Sequence, residues 1–96
     1  MSKPARYTIK FSPRFERIFN SLNKKKPSLI SPLLGGIGKI TREPILGKPL
    51  RNILSNKRRI PIEGSFVLLY EIVGTEVRLL DFDHHNKIYK KYSSRR

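Results

Sequence analysis

The chain switches between two hydrophobic periods, and each switch marks an element. Tyr7, Ile9 and Phe11 alternate with Thr8 and Lys10, the period of two expected of a strand with one buried face. Ser12-Pro13 then starts a helix. A serine accepts a hydrogen bond from a free first-turn amide, and a proline at the first helical position gives up an amide that has no partner there. Phe15, Ile18, Phe19 and Leu22 follow at i, i+3, i+4 and i+7, which is one helical face, with Arg14, Arg17 and Asn20 on the other. Lys24-Lys25-Lys26 and Pro27 end this helix. A second apolar stripe, Leu29, Ile30, Leu33, Leu34, Ile37 and Ile40, predicts a helix over 29–42 capped by Ser28. Pro32 then falls in the first turn, where it does least damage. Gly35, Gly36 and Gly38 count against this helix, since each costs up to ~1 kcal/mol relative to Ala. Glu43-Pro44 stops it.

A loop over 45–57 follows, carrying Gly47, Pro49 and Asn52, with a short strand or turn around 50–54. The period of two then returns in runs at 58–62, 66–73 and 76–82, rich in Ile, Val, Leu, Phe and Tyr. Gly64-Ser65 and Gly74-Thr75 separate them as hairpin turns. In the middle run both alternating sets are apolar: Phe66, Leu68, Tyr70 and Ile72 against Val67, Leu69 and Val73. Such a strand is central and covered on both faces, with Tyr70 in the core. The stretch 86–96 begins as a short helix and carries five positive and no negative charges. The expected fold is α+β, in the order β-α-α-β-β-β(-α), as one domain over 1–96. It is a small, twisted, mostly antiparallel sheet with a helical hairpin on one face and the other face partly open. The 7–11 strand joins one edge.

Charge changes this picture most. Twenty-one Lys and Arg stand against seven Asp and Glu, a formal net charge of +14. Such an excess favours a polyanionic partner and accelerates encounter with it, whether nucleic acid or an acidic protein. There are no cysteines, hence no disulfide and no thiolate metal site. No apolar run approaches the ~18 residues of a membrane span, and no signal-peptide pattern opens the chain, so the expectation is a cytoplasmic protein without a membrane partner. Asp81, Asp83, His84 and His85 do not follow a known metal-ligand spacing, so no metal or cofactor is expected.

The order of elements and several motifs resemble the RelE/ParE superfamily of bacterial and archaeal type II toxins. The resemblance runs from Tyr7-Thr8-Ile9-Lys10-Phe11 to Tyr92. PLRNILSNKRRIPI, starting at Pro49, is similar to the loop and second strand of the YoeB-like branch. GSFVLLYEI, starting at Gly64, is similar to the family's Tyr-ended central strand, and HNKIY, starting at His85, to the ending of the YafQ-like branch. The resemblance implies the RelE fold, and a toxin neutralised by a cognate antitoxin through an acidic or amphipathic segment. RelE-type members cleave mRNA, often on the ribosome, and ParE-type members poison gyrase. Cleavage of the RelE type runs through the RNA 2′-hydroxyl, which attacks the adjacent phosphate. It needs a base, an acid and cations at the crowded phosphate.

On that resemblance His85 is the candidate general acid or base, since imidazole titrates near neutrality. A surface histidine in a polar tail is the alternative. Arg59 and Arg51 are candidate phosphate binders in the catalytic set, with Tyr89 as a base-stacking or orienting group. Arg58, Arg78, Lys48, Lys87, Lys90 and Lys91 are candidate RNA contacts. Three departures stand out. Val67 occupies a position where RelE carries an Arg, Pro61 one where YafQ-like members carry a His, and Ser65-Phe66 replaces an Asp-Trp pair. The expected function is an mRNA endonuclease toxin with mRNA, ribosome and antitoxin as partners. A gyrase-directed toxin and an inactive nucleic-acid-binding protein remain open alternatives.

Overall fold

The computed structural model of the chain describes residues 7–49 and 57–92. Strand β1 (Thr8–Phe11) leads into helix α1 (Pro13–Lys25). The Ser12 hydroxyl accepts a hydrogen bond from the Phe15 amide at 3.1 Å, so the N-cap forms as its residue types require. Helix α2 (Ile30–Arg42) follows, but Ser28 does not cap it. A 3₁₀ turn over Pro27–Leu29 feeds straight into the helix, and the Ile30 amide donates to the Pro27 carbonyl. Carbonyls of that turn stand where a capping side chain would otherwise be needed.

After α2 the chain makes a 3₁₀ turn over Pro44–Leu46 and a two-residue strand β2 (Lys48–Pro49). The turn or strand expected around 50–54 lies outside the described residues. Strands β3 (Lys57–Ile62), β4 (Phe66–Val73) and β5 (Glu76–His84) then form a meander, and helix α3 (His85–Tyr92) ends the described chain. The sheet order is β1-β5-β4-β3-β2, with β1 parallel to β5 and the other pairs antiparallel. No helix among the described residues is long and apolar enough to cross a membrane.

One face of the sheet carries the main core. Phe15 of α1 and Leu33, Ile37 and Ile40 of α2 pack with Ile60, Ile62, Leu68, Tyr70, Val77 and Leu79. Gly36 explains one of the glycines that weakened the helix prediction. A Cβ at Gly36 would collide with Ile62 Cδ1, so its absence lets α2 lie close against β3. The close packing offsets the propensity cost.

Two features of β5 depart from the sequence pattern. It runs to His84 rather than stopping at Phe82, because Asp83 and His84 pair with Val67 and Phe66 of β4. It also shifts register, with Leu69 opposite Asp81 but Tyr70 opposite Leu79. Leu80 is therefore an extra residue, a β-bulge. A one-residue shift exchanges the two faces of a strand. Without it, the alternation of Val77 and Leu79 would bury Asp81 in the helical core. With it, Phe82 enters that core and Asp81 turns to the opposite face.

That opposite face is partly covered by α3, which buries Ile88 completely. Val67 and Leu69 of β4 are buried on the same side. The β3–β4 turn differs slightly from the expected Gly64-Ser65 pair, because Glu63 joins it at φ 53°.

Tyr70 ties the second 3₁₀ turn to the sheet. Its hydroxyl donates to the Pro44 carbonyl at 2.5 Å and accepts from the Gly47 amide at 2.9 Å. Burial pushes the phenol up from its ordinary pKa, partly opposed by the Gly47 amide and the Arg58 charge. Tyr70→Phe would leave that carbonyl and amide buried without partners. Unfolding in urea should then show a loss of about 2 kcal/mol with an unchanged m-value. Wild-type stability in the variant would mean the hydroxyl does not anchor the turn.

Candidate functional site

The face of the sheet turned away from the helical hairpin carries the candidate chemistry. Strand alternation and pairing put Lys48, Arg59, Pro61 and Val67 there, with Lys48 opposite Arg59 and Pro61 opposite Val67. Together with Tyr89 of α3 and Lys39 of α2 they line a cleft of about 460 Å³. Gly47 closes its wall, and a Cβ there would stand 2.6 Å from the Tyr70 hydroxyl and 2.7 Å from the Arg59 carbonyl.

Arg59 is the central cation of this cleft. Its guanidinium carbon lies 5.4 Å from the centroid of the Tyr89 ring, a cation–π contact. Its Nε is buried and has no hydrogen-bond partner among the described residues. A buried charged donor without an acceptor is costly. Every ion pair among the described residues lies elsewhere. Lys57 and Arg78 hold Glu71, Arg78 also holds Glu76, Arg14 and Lys91 hold Asp81, and Lys91 also reaches Asp83. The charge of Arg59 is therefore uncompensated by any of them, and Lys48 and Lys39 add to the positive potential.

His85 opens α3, and its backbone amide donates to the Ser65 carbonyl at 2.9 Å. Its half-buried ring stacks on His84 with centroids 4.8 Å apart. It also meets the Tyr89 ring edge-on at 6.2 Å. Arg59, His85 and Tyr89 thus form one group around the Tyr89 ring, which is 43% exposed. One helical turn separates His85 from Tyr89, so α3 presents both on one side. Chemically, the group offers a fixed cation, an imidazole able to exchange a proton, and an aromatic face.

The remaining candidates scatter. Arg58 points to the other face, where its guanidinium donates to the Gly47 carbonyl at 2.7 Å and the Ile45 carbonyl at 3.5 Å. It braces the turn next to the cleft from behind. Arg78 sits in a row with Lys57, Glu71 and Lys10, bound to Glu76 at 2.6 Å. The Arg78 hydrogen bond holds the Glu76 carboxyl below its usual range. Lys87 and Lys90 are exposed on α3. Lys91 is bound to Asp81 at 2.8 Å. Arg51 lies outside the described residues. Among the described residues no group of three or more His, Cys, Asp or Glu is placed to hold a metal ion.

Asp81, considered above only as a metal ligand, has a different part in the structure. This carboxylate is fully buried and accepts from Lys91 Nζ at 2.8 Å, Tyr92 Oη at 2.9 Å, Arg14 Nη1 at 3.4 Å and the Phe82 amide at 2.8 Å. A signal existed, since it is the one charged residue on the apolar side of the Val77, Leu79, Asp81 alternation. Burial, then the hydrogen bond and charge of Asp81, push the Tyr92 phenol up to about 12, partly opposed by Arg14. Its folded pKa lies above the unfolded value near ~10, so its contribution to stability is complete below that value and is lost as pH rises through about 12. In an ultraviolet titration, Tyr92→Phe should remove a tyrosine that ionises near pH 12. Loss of a tyrosine titrating at the ordinary value would contradict the buried contact.

The chain is similar to known proteins in sequence and in fold. A Methanocaldococcus jannaschii protein named as the toxin RelE4 is 34% identical over 87 residues, covering 88% of this chain and 93% of its own length. A chain in the RelBE2 toxin-antitoxin complex of Mycobacterium tuberculosis is 31% identical with a TM-score of 0.68, covering 83% of this chain and 99% of that one. YoeB of Staphylococcus aureus, solved as a dimer, has a TM-score of 0.73 at 19% identity, covering 84% and 99%. No protein-family model matches the chain.

Proposed function

The chain belongs to the RelE/ParE superfamily of type II toxins, and we propose that it is an RNA endonuclease of the RelE kind. The observation that carries this reading is Arg59, an uncompensated cation with an unpartnered buried Nε, set over the ring of Tyr89, whose edge also meets His85. A phosphodiester placed in the cleft would take the free guanidinium donors of Arg59. Arg suits this role because its planar fork matches phosphate oxygens. As the 2′-oxygen attacks, negative charge grows on the phosphate, and a fixed cation on an apolar floor stabilises it more than in water. His85 exchanges the proton, as base for the 2′-hydroxyl or as acid for the leaving 5′-oxygen. Tyr89 orients the imidazole and the guanidinium and leaves part of its ring open for a base. DNA, which lacks the 2′-hydroxyl, would bind without being cleaved. Lys48, Lys39, Lys87 and Lys90 add sequence-independent attraction to the backbone.

The biological setting proposed is mRNA cleavage on the ribosome, in the cytoplasm. The RelBE2 relative, seen in complex with its antitoxin, supports an antitoxin partner here. With +14 on a chain of this size, a segment of opposite charge would serve as that partner's contact. A second reading draws on the cleft floor. Pro61 and Val67 neither donate to phosphate nor exchange protons, which favours binding without turnover.

Induced expression in a bacterial host, with growth followed and mRNA ends mapped by primer extension, separates the readings. The wild type should arrest growth and create new 5′ ends within genes. His85→Ala should lower cleavage by about 10²–10⁴-fold, as expected for loss of a positioned proton-transfer group. Arrest without new RNA ends would overturn the nuclease reading in favour of a gyrase-directed toxin. Separately, Arg59→Ala should lower single-turnover cleavage by roughly 10²–10³-fold, the usual cost of losing one charge-stabilising donor group. Arg59→Lys should recover only part of it, because a lysine lacks the planar fork. Full activity in Arg59→Lys would show that charge alone, not the stacked fork, is what the cleft requires.

A further inference from the structure

We propose that Asp81 is a positioning residue for cleavage, setting the place of α3 and through it the places of His85 and Tyr89. This rests on the endonuclease reading given above. The three side chains that converge on Asp81 come from two different elements: Arg14 from α1, and Lys91 and Tyr92 from the last turn of α3. Helix α3 is thus held at three points. Its first residue is hydrogen-bonded to Ser65 through the backbone, Ile88 is fully buried at its middle, and Asp81 holds its end. His85 is itself the first fastened residue, and Tyr89 lies between the two polar fastenings.

The chemistry of the cluster argues for geometry rather than bulk stability. Burying a carboxylate is costly before pairing, so an apolar residue opposite Leu69 would stabilise the fold at least as well. The carboxylate instead supplies direction. One oxygen accepts from the Phe82 amide, which fixes the carboxylate against the strand. The other gathers the lysine, the tyrosine and the arginine. Placement of reacting groups matters steeply, and a misplacement of about 1 Å can cost about 10²-fold in rate. The partners are also able to survive its loss. Arg14 is 53% and Lys91 33% exposed, so both cations can turn to water when the carboxylate is removed. The consequence therefore falls on α3 and not on the helical core.

Asp81→Asn and Tyr92→Phe, with their double variant, provide the test. Three quantities would be measured on the full chain: single-turnover cleavage, binding of an RNA carrying a 2′-deoxy group at the cleavage position, and the ring resonances of His85 and Tyr89 by NMR. Asp81→Asn should slow cleavage about tenfold, and Tyr92→Phe about threefold, with RNA affinity within about twofold of wild type. The double variant should be no slower than Asp81→Asn alone, because both act through one contact. The His85 and Tyr89 resonances should move in both single variants. Unmoved resonances, or additive losses in the double variant, would overturn the proposal. If Asp81→Asn does not fold, the resonances of Tyr92→Phe decide in its place. If the wild type cleaves no RNA either alone or with ribosomes, the endonuclease reading fails, and the resonances still decide whether Asp81 positions α3.

Discussion

Strand β4 has Val67, Leu68, Leu69 and Tyr70 buried in succession, and a strand buried on both faces needs cover on both. The helical hairpin covers one face and α3 part of the other. The β5 bulge reconciles the two. It lets β5 give Val77, Leu79 and Phe82 to the hairpin while giving Asp81 to the side of α3. Shifting that strand by one residue would move a carboxylate into the hydrophobic core and a phenylalanine out of it. The place of α3, and hence of His85 and Tyr89, follows from this one irregularity in the ladder.

Most of the fold was legible because its signals are local. The Ser12-Pro13 cap, the i, i+3, i+4 stripe from Phe15 to Leu22, and the doubly apolar run of β4 each need only neighbouring residues to be read. What escaped depends on distant partners. Ser28 looked like a cap, but Pro27 begins a 3₁₀ turn that makes one unnecessary. Gly36 looked like a weakness in α2 and is a point of close approach to Ile62, a residue 26 positions away in sequence. The extension of β5 through Asp83 and His84 follows from its pairing with β4, against the strand preference of aspartate.

The candidate site divides in the same way. Alternation along β3 is enough to put Arg59 and Pro61 on one face and Arg58 on the other. No local rule could place Tyr89 under the guanidinium of Arg59, because that contact joins β3 to a helix beginning 26 residues later. Nor could charge counting tell Lys48, which lines the cleft, from Lys91, which is neutralised by Asp81. Seven acidic residues are few, and those in ion pairs fasten strands and helices to one another. Arg59, Lys39 and Lys48, which line the cleft, belong to none of these pairs.

The apolar floor bears directly on the chemistry. Pro61 and Val67 line the cleft and offer no proton donor or phosphate ligand, so on the endonuclease reading one of the two proton transfers in 2′-hydroxyl attack would fall to water or to a group the RNA or ribosome brings. Lack of a positioned acid or base costs about 10²–10⁴-fold, so on the endonuclease reading the isolated protein is a slow enzyme. The same floor has a compensating effect. It contributes no acceptor to compete for Arg59 and lowers the local dielectric, which strengthens the attraction between guanidinium and phosphate. On that reading, a cleft built in this way would bind the phosphate firmly and leave proton transfer as the slow event. Its rate then depends most on how closely α3 holds His85, and on whatever supplies the second proton.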